Sequence, residues 1–357
     1  RGHEATRTRG DEVADGRSAA HVGSTLLSLD LDGDTVKELI LGDISFNTLN
    51  ALFNGGGLND ALMVAQDSTY PVQDVPVDLP VFPGAYHVDV NNDGKRDLVV
   101  SPNATSLTHN FQSVWYYLNT GTDAAPVFDL TSNTLWQGGM LDFGEGAYPV
   151  PFDHNGDGLM DLIVANYGYY NPGGDYPGKL ALLENTGTAT APAFTLVTDD
   201  YMSLSTSGIG AAMYPAFGDV DGDGDEDLII GDLQGRMHFF RNTATGPVAT
   251  FSLETPNITD SNGDAMDVGQ FATPQLVKVD NDPLLDLIVG ERNGNINYFR
   301  NTGTAAAPIW TATEDSLGGV VGNEWWNVTG YSVPWMYLNS GGERELVVGS
   351  ESGWFHQ

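Results

Sequence analysis

The sequence predicts an all-β protein, a β-propeller of four-stranded blades, from three observations. An acidic loop followed by a short apolar strand recurs along the 357 residues, with its last acid at positions 38, 97, 161, 227, 286 and 345. The intervals of 59, 64, 66, 59 and 59 residues fit a four-stranded propeller repeat better than a solenoid repeat of one or two strands. No segment shows a sustained helical period of apolar residues.

Each repeat divides into four short strands. The first strand ends at the acidic loop, and the second is an apolar run such as Leu228-Ile229-Ile230. The third is rich in aromatic residues, and the fourth follows a turn of the Asn-Thr-Gly-Thr type, as in "YFRNTGTAAAPIW". The apolar run is continuous rather than alternating, which is expected of a strand that is covered on both faces.

Six repeats are visible, and the sixth stops at Gln357 inside its third strand. Closure of a ring would require that blade to be completed and one more to be added. We therefore expect seven blades in the complete protein, with the last blade truncated here; counts of six and eight stay open. The expected propeller domain covers residues 21–357, a polar segment or linker covers residues 1–20, and other domains of a longer polypeptide are expected.

The charge of the chain excludes several classes of partner. Asp and Glu number 48 against 14 Lys and Arg, which gives a formal net charge of −34. Such a surface repels nucleic acid and anionic membranes, so neither is an expected partner. No apolar run reaches the roughly 18 residues of a membrane span, and the absence of cysteine excludes disulfides and thiolate chemistry. Bound divalent cations are the natural source of neutralisation.

The acidic loop has the pattern of a calcium site. Positions 1, 3 and 5 are Asp or Asn, position 7 would offer a backbone carbonyl, and position 9 is an acid, so that the spacing resembles a shortened EF-hand loop. Glycine at position 4 or 6 permits the left-handed conformation that the coil needs. Four loops are intact, which predicts about four Ca²⁺ ions. The predicted ligands are Asp30, Asp32, Asp34, Val36 and Glu38; Asp89, Asn91, Asp93, Lys95 and Asp97; Asp153, Asn155, Asp157, Leu159 and Asp161; and Asp219, Asp221, Asp223, Asp225 and Asp227.

Two copies of the loop depart from this pattern. The fifth has Lys278 at position 1, ahead of Asp280, Asp282 and Asp286. Its ammonium group is expected to replace the ion through an internal salt bridge. The sixth copy offers Asn339 and Glu345 alone at usable positions. We therefore expect no calcium in either loop.

The loops and the Asn-Thr-Gly-Thr turns resemble the FG-GAP/VCBS repeat family, which includes the propellers of integrin α subunits. The resemblance covers about residues 21–357, and the four intact loops are its specific part. It implies calcium on the bottom rim of the ring, between the first two strands of a blade, and a ligand on the opposite face. The turns are also similar to those of secreted and surface proteins of the Bacteroidetes group, so a secreted or cell-surface protein of bacterial origin is expected.

The opposite face would be built from the loops between second and third strands, which are long and aromatic in the first three repeats. The expected ligand-face residues are His109, Phe111, Tyr167, Tyr169, Tyr170 and Tyr176. Two interpretations stay open: the rings stack on a glycan, or they pack on one another. For Trp136, Trp325 and Trp326, in the segments between blades, packing in the core is favoured.

These observations favour a calcium-binding recognition, adhesion or scaffold module, with a glycan or a protein as the ligand. The alternative is a propeller-type polysaccharide lyase or glycoside hydrolase, for which Asp142 and Glu145 are candidate paired carboxylates. The chain has no cysteine nucleophile, no serine elbow and no His-Glu-x-x-His motif. Binding is therefore favoured over catalysis.

Overall fold

The computed structural model describes residues 24–80, 82–103, 111–171, 176–323 and 328–356. These residues form 23 strands in six antiparallel sheets, with two short 3-10 helices at Tyr201–Thr206 and Leu317–Gly319. None of the helices in this part of the chain has the length and apolar character needed to cross a bilayer. The predicted polar segment 1–20, His109, Trp325 and Trp326 lie outside the described residues. The predicted all-β propeller fold class is confirmed.

Unit 1, the described chain up to Met140, contains two four-stranded sheets. Sheet 1 comprises β1 Ser24–Leu29, β2 Glu38–Asp43, β3 Leu49–Asn54 and β4 Met63–Tyr70. Sheet 2 comprises β5 Pro83–Val88, β6 Asp97–Pro102, β7 Trp115–Asn119 and β8 Phe128–Ser132.

Unit 2, the chain from Leu141 onward, contains the other four sheets. Sheet 3 comprises β9 Tyr148–Phe152, β10 Asp161–Ala165, β11 Leu180–Asn185 and β12 Phe194–Thr198. Sheet 4 comprises β13 Tyr214–Gly218, β14 Asp227–Gly231, β15 Met237–Asn242 and β16 Phe251–Thr255. Sheet 5 comprises β17 Thr273–Val277, β18 Asp286–Gly290, β19 Ile296–Asn301 and β20 Trp310–Glu314. Sheet 6 has three described strands, β21 Val333–Leu338, β22 Arg344–Gly349 and β23 Phe355–His356.

In every sheet the strands pair in chain order, so each sheet is an antiparallel meander. In sheets 2 to 5 the second strand is largely buried, as its continuous apolar run predicts. In sheet 4, Leu228 and Ile230 join the hydrophobic cluster shared with sheet 3, whereas Ile229 joins the cluster shared with sheet 5. All three are fully buried. The two faces of one strand therefore belong to two successive cores, which is how adjacent blades pack.

A glycine at the end of the second strand brings successive sheets into close contact. A Cβ atom on Gly231 would lie 2.1 Å from the carbonyl oxygen of Ala272, which precedes sheet 5. A Cβ atom on Gly290 would likewise lie 2.1 Å from the carbonyl oxygen of Ser332, which precedes sheet 6. Backbone and backbone touch at these points, so no side chain fits between them.

The prediction that Trp136 packs in the core is wrong, because its side chain is 75% exposed. The neighbouring Gln137 is buried instead, and its side-chain oxygen accepts the N–H groups of Ser113 and Val114 at 3.0 and 3.2 Å. The chain satisfies these two amides before β7 by turning Gln137 inward. Trp136 is consequently on the outside of the turn.

Candidate metal loops and aromatic surface

The four intact loops share one coil, which the third loop illustrates. The carboxylate of Asp153 at position 1 accepts the N–H groups of Gly156 at 2.8 Å and Gly158 at 2.9 Å. The side-chain oxygen of Asn155 at position 3 accepts the N–H of Asp157, whose carboxylate in turn accepts the N–H of Leu159 at position 7. The same 3-to-5 and 5-to-7 bonds recur in the other three loops. The coil is therefore organised by its own polar side chains.

The coil requires a left-handed backbone at two places rather than one. The sequence predicted glycine at position 4 or 6, and in all four loops both positions have a positive φ. Two of these residues are not glycine: Thr35 has φ of 74° and Asn92 has φ of 60°. The residues with positive φ at these positions are Gly33, Thr35, Asn92, Gly94, Gly156, Gly158, Gly222 and Gly224.

The acid at position 9 is fully buried and joins the loop to the third strand. One carboxylate oxygen of Asp161 accepts the N–H of His154 at 3.0 Å, and the other accepts the N–H of Asn185 at 2.7 Å. The corresponding acids of sheets 2 and 4 have the same pair of partners. Burial raises the pKa of Asp227 to about 6, against the opposing effect of its two backbone hydrogen bonds.

The first loop contains a buried carboxylate oxygen that has no protein partner among the described residues. Oxygen atoms of Asp30, Asp32 and Glu38 lie within 4.8 Å of one another. Glu38 is fully buried, and while its Oε2 accepts the N–H of Leu31 at 2.6 Å, its Oε1 has no hydrogen-bond partner within the described chain. A buried carboxylate oxygen without a partner is costly unless a cation meets it. This donor set, hard oxygens alone, fits Ca²⁺.

The fourth loop brings its acids together in the same way. Oxygen atoms of Asp219, Asp221 and Asp227 lie within 4.8 Å of one another. In the second and third loops position 3 is Asn91 and Asn155, so that an amide oxygen takes the place of one carboxylate there. Calcium bound in these loops would supply the positive charge that holds the carboxylates together.

The fifth loop is neutralised by arginine, which corrects the expectation that Lys278 does this. Arg300 of β19 pairs through Nε with Asp280 at 2.6 Å and through Nη2 with Asp282 at 3.1 Å. Arg344, from sheet 6, donates through Nε to the carbonyl oxygen of Lys278 at 2.6 Å. A guanidinium group presents several donors in a fixed plane and therefore spans two carboxylates better than an ammonium group.

In the sixth loop the two candidate ligands bind each other. Asn339 Nδ2 donates to Glu345 Oε1 at 2.7 Å, and the hydroxyl of Tyr337 donates to Glu345 Oε2 at 2.5 Å. Both oxygens of the acid therefore have a protein partner within the repeat.

An aromatic row is present in unit 2, and only part of it was predicted. Tyr170 contacts Tyr176 with ring centroids 6.0 Å apart, and Tyr176 contacts Tyr167 at 5.9 Å. Tyr167 stacks on Phe271 at 5.8 Å with an interplanar angle of 19°, and Phe271 meets Tyr331 edge-on at 4.9 Å. All five rings are partly exposed. The row therefore connects sheet 3 with the segments that lead into sheets 5 and 6.

The aromatic row lies at the ends of the sheets opposite the acidic loops. In sheet 3, Asp161 pairs with Phe152 beside the loop, whereas Ala165 pairs with Tyr148 at the far end, roughly 13 Å away at the usual strand rise. Tyr167 follows that far end directly. Tyr148 contacts Tyr214 edge-on at 5.2 Å, and burial together with the nearby hydroxyls of Tyr148, Tyr167 and other tyrosines raises the pKa of Tyr214 to about 12.

Other predicted residues have local partners. The hydroxyl of Tyr169 donates to the carbonyl oxygen of Asp142, and the ammonium of Lys179 lies 5.1 Å from its ring centroid. Phe111 is partly buried in unit 1. Of the candidate carboxylate pair, Asp142 accepts the N–H of Gly144 at 2.8 Å. A bond from an aspartate side chain to the backbone two residues later is typical of a turn.

Sequence reasoning missed Phe271 and Tyr331, the last two members of the row. Each lies two residues before the first strand of a sheet, in "QFATP" and "GYSVP", and is followed by one buried residue. Tyr148 and Tyr214 stand directly before Pro149 and Pro215. The signal available was therefore an aromatic residue one to three positions before the regularly spaced proline.

The comparisons with known proteins agree with the repeat pattern. The family model described as FG-GAP-like repeat matches residues 89–164 and 153–230. Among curated proteins, none matches the chain significantly.

Several solved structures are similar at low identity. A lectin of Agrocybe aegerita, described as recognising non-reducing terminal N-acetylglucosamine, is 16% identical, with 91% of this chain and 74% of that chain covered and a TM-score of 0.35. BBS1N in complex with ARL6DN is 14% identical, with 92% and 90% covered and a TM-score of 0.25. The BP39L lectin of Burkholderia pseudomallei is 10% identical, with 94% and 97% covered and a TM-score of 0.24. At these values the similarities carry no argument about a ligand. The matched residues 89–230, with the second, third and fourth acidic loops, consist of FG-GAP-like repeats.

Proposed function

We propose that this protein is a calcium-stabilised β-propeller that acts as a recognition module, and that its ligand surface is the aromatic row of unit 2. The observation that carries the proposal is the continuous contact of five partly exposed rings, Tyr170, Tyr176, Tyr167, Phe271 and Tyr331. Aromatic rings that contact one another and are partly exposed provide contact area at a low cost in side-chain entropy.

A neutral glycan is the ligand that this surface suits best. Sugar rings present C–H faces that stack on aromatic rings, and their hydroxyls need planar polar groups nearby. Exposed Arg292 donates through Nη1 to Gln270 Oε1 at 2.9 Å next to Phe271, which supplies such groups. The net charge of −34 disfavours acidic polysaccharides and acidic proteins.

Calcium is the second part of the proposal. The unpartnered Oε1 of buried Glu38, together with Asp30 and Asp32, supports an ion in the first loop. Loops of this kind that use carboxylate and carbonyl oxygens commonly bind calcium at about 10⁻⁴–10⁻³ M in extracellular modules. A secreted or cell-surface location, where calcium reaches such levels, would keep the loops filled.

The test is binding of the calcium-loaded chain to a glycan array, for the wild-type protein and for Tyr167→Ala and Phe271→Ala. Each substitution interrupts the row at its stacked pair, and we expect binding to fall about tenfold or more, equivalent to about 1.4 kcal/mol. Tyr86→Ala is the control, since Tyr86 is an exposed tyrosine in unit 1, and it should bind as the wild type does. Melting midpoints of all three variants confirm that each is folded.

Two results would contradict the proposal. Equal binding by the wild type and both row variants would place the ligand surface elsewhere. Cleavage of a bound polysaccharide, measured as new reducing ends or unsaturated products, would replace a recognition module by an enzyme. If no glycan binds and a protein partner is captured through the same row, the surface is right and the ligand class is wrong.

A further inference from the structure

One residue of the third strand stands beside the metal loop of its own sheet and differs in charge from sheet to sheet. It directly precedes the asparagine that begins the turn to the fourth strand, and we call it the flanking residue. In sheets 1 to 5 the flanking residues are Phe53, Leu118, Glu184, Arg241 and Arg300.

In sheets 3 to 5 the side chain of the flanking residue contacts position 3 of the loop. In sheet 3, Asn155 Nδ2 donates to Glu184 Oε1 at 3.3 Å. In sheet 4, the guanidinium of Arg241 pairs with the carboxylate of Asp221. In sheet 5, as described above, Arg300 takes the position-3 and position-5 acids together. The flanking residue therefore acts on the place where a bound cation would be.

The fifth loop is closed to a metal ion by more than its flanking residue. Arg344 Nη1 donates to Asn281 Oδ1 at 3.0 Å, and the same guanidinium donates to the carbonyl oxygen of Asp280. Pro283 occupies position 6, and its ring fixes φ near −65°. The structure describes all of residues 278–286, and none of them has a positive φ. The fifth loop keeps the 3-to-5 and 5-to-7 bonds at 2.8 and 2.9 Å. It lacks the two left-handed residues and the position-1 acid of the other loops, and guanidinium groups take the acids that an ion would bind.

The fourth loop combines an intact coil with a guanidinium. Gly222 and Gly224 have the left-handed conformation, and the acids are gathered as in the first loop. Asp221 is nevertheless buried, at 7% exposure, against Arg241. Arg241 also donates through Nη2 to Glu254 Oε1 at 3.1 Å on the neighbouring strand β16. A second acid is therefore available to hold the guanidinium when it leaves the loop.

We propose that Arg241 is an internal cation that neutralises the fourth loop in the absence of calcium and that calcium displaces toward Glu254, whereas Arg300 and Arg344 neutralise the fifth loop permanently. The inference rests on the proposed calcium binding by these loops. It adds that the charge of the flanking residue adjusts the calcium affinity of a loop.

The third loop has Asn155 where the fourth has Asp221, and its flanking residue Glu184 restores the missing negative charge. The third loop therefore binds calcium more tightly than the fourth, because no internal cation competes for its acids.

The experiment is a calorimetric calcium titration of the calcium-free full chain and of Arg241→Leu. Leucine is what sheet 2 has at the same place, so the substitution introduces a side chain that this coil already tolerates. We expect one site to bind about tenfold more tightly in Arg241→Leu, with the other sites unchanged. In chelator the same variant should melt below the wild type, since its gathered acids have lost their counter-charge.

Two further variants keep the inference testable. Glu254→Gln removes the alternative partner of Arg241, strengthens its hold on Asp221, and should weaken the same site severalfold. Arg300→Leu should gain no calcium site, because Arg344 and Pro283 remain. A gained site would overturn the assignment of the fifth loop.

The outcomes separate this inference from the proposed function. If the wild type binds calcium and neither Arg241→Leu nor Glu254→Gln changes any affinity, the role of Arg241 is refuted and the calcium loops stand. If Arg241→Leu gains a site that the wild type does not fill, the role of Arg241 is supported even in a protein that binds fewer ions than proposed. If no variant binds calcium, both proposals fail.

Discussion

Asp227 and Asn242 are joined by a hydrogen bond between the neighbouring strands β14 and β15 of sheet 4. Asp227 Oδ1 accepts the backbone N–H of Asn242 at 2.8 Å, and Asn242 Nδ2 donates to the carbonyl oxygen of Glu226 at 3.2 Å. Sheets 2 and 3 contain the same two bonds, between the last acid of the loop and the asparagine of the Asn-Thr-Gly-Thr turn. The two most regular features of the sequence, the position-9 acid and the turn asparagine, therefore contact each other in the folded protein.

The first prediction concerns this asparagine in sheet 2. Besides its bond to the Arg96 carbonyl at 3.0 Å, the side chain of Asn119 accepts the N–H groups of Gly121 and Val127. Asn119→Ala leaves these two partly buried N–H groups and the Arg96 carbonyl oxygen without this partner and should lower the free energy of unfolding by about 1–3 kcal/mol. Denaturant titration in chelator measures the loss without a contribution from metal. Asn59→Ala, at an exposed position of the same unit, should stay within about 0.5 kcal/mol of the wild type, and equal effects of the two changes would refute the contact's role.

A second prediction follows from the close contact of sheets 4 and 5. Gly231→Ala places a methyl group 2.1 Å from the Ala272 carbonyl, so the sheets must separate, at a cost of about 1–3 kcal/mol or more. Gly349 ends the second strand of sheet 6, where an added Cβ meets nothing within 4 Å. Gly349→Ala should therefore be neutral or slightly stabilising. The melting midpoints of the two variants make the comparison, and a harmless Gly231→Ala would contradict the packing described here.

The third prediction is that calcium and Glu38 act together. Addition of chelator should lower the melting midpoint of the wild type, because an ion that binds the folded state alone at 100 times its dissociation constant contributes about 2.7 kcal/mol. Glu38→Gln should diminish this calcium effect while leaving the chelated protein as stable as the wild type or more so, since a buried charge without a partner is removed.

The control for Glu38→Gln is Asp78→Asn, which changes an exposed acid of unit 1 that belongs to none of the acidic loops. Its response to calcium should match that of the wild type. A calcium-dependent shift that Glu38→Gln leaves intact would exclude this residue as a ligand.

The fourth prediction concerns pH and Asp232, which lies on the turn between β14 and β15. Burial opposes ionisation of this fully buried acid, but hydrogen bonds from His238 and Arg236 outweigh it and lower the pKa of Asp232 below its ordinary value. A carboxylate whose pKa is lower in the folded state stabilises at pH values above about 3.9, and its contribution is lost as the pH falls through the folded-state pKa.

Asp232→Asn should therefore cost about 1–3 kcal/mol at pH 7. The difference from the wild type should shrink as the pH falls below about 4. Measurement of both proteins in chelator removes the contribution of the loop acids to metal binding. A difference that is constant from pH 7 to pH 3 would mean that the charge of Asp232 does not matter.

The repeat pattern predicts the sheets because its two recurring features, the position-9 acid and the turn asparagine, mark the ends of strands. The acid at position 9 and the turn asparagine mark the start of the second strand and the end of the third, as at Asp161 and Asn185. The conformation of the loop was also predictable, since the bonds within it join residues at most seven apart, such as His154 and Asp161.

Contacts between distant residues were not predictable in this way. Lys278 was expected to neutralise the fifth loop because it is adjacent in the sequence, whereas the guanidinium groups come from Arg300 and from Arg344, which lies in the next repeat. The aromatic row has the same character. Phe271 joins Tyr167 across about a hundred residues, and the segments between sheets have no fixed length from which such a contact could be read.

The bond between position 9 and the turn asparagine has a consequence for how such repeats diverge. In sheet 5, Asp286 accepts the N–H of Asn301 at 2.8 Å as its counterparts do, although the loop above it holds arginine. The contact between the second and third strands of a sheet is therefore independent of a metal ion in the loop. A repeat whose loop has lost its position-1 acid, as the fifth has at Lys278, can thus replace one charge partner by another during evolution and still form the same four-stranded sheet.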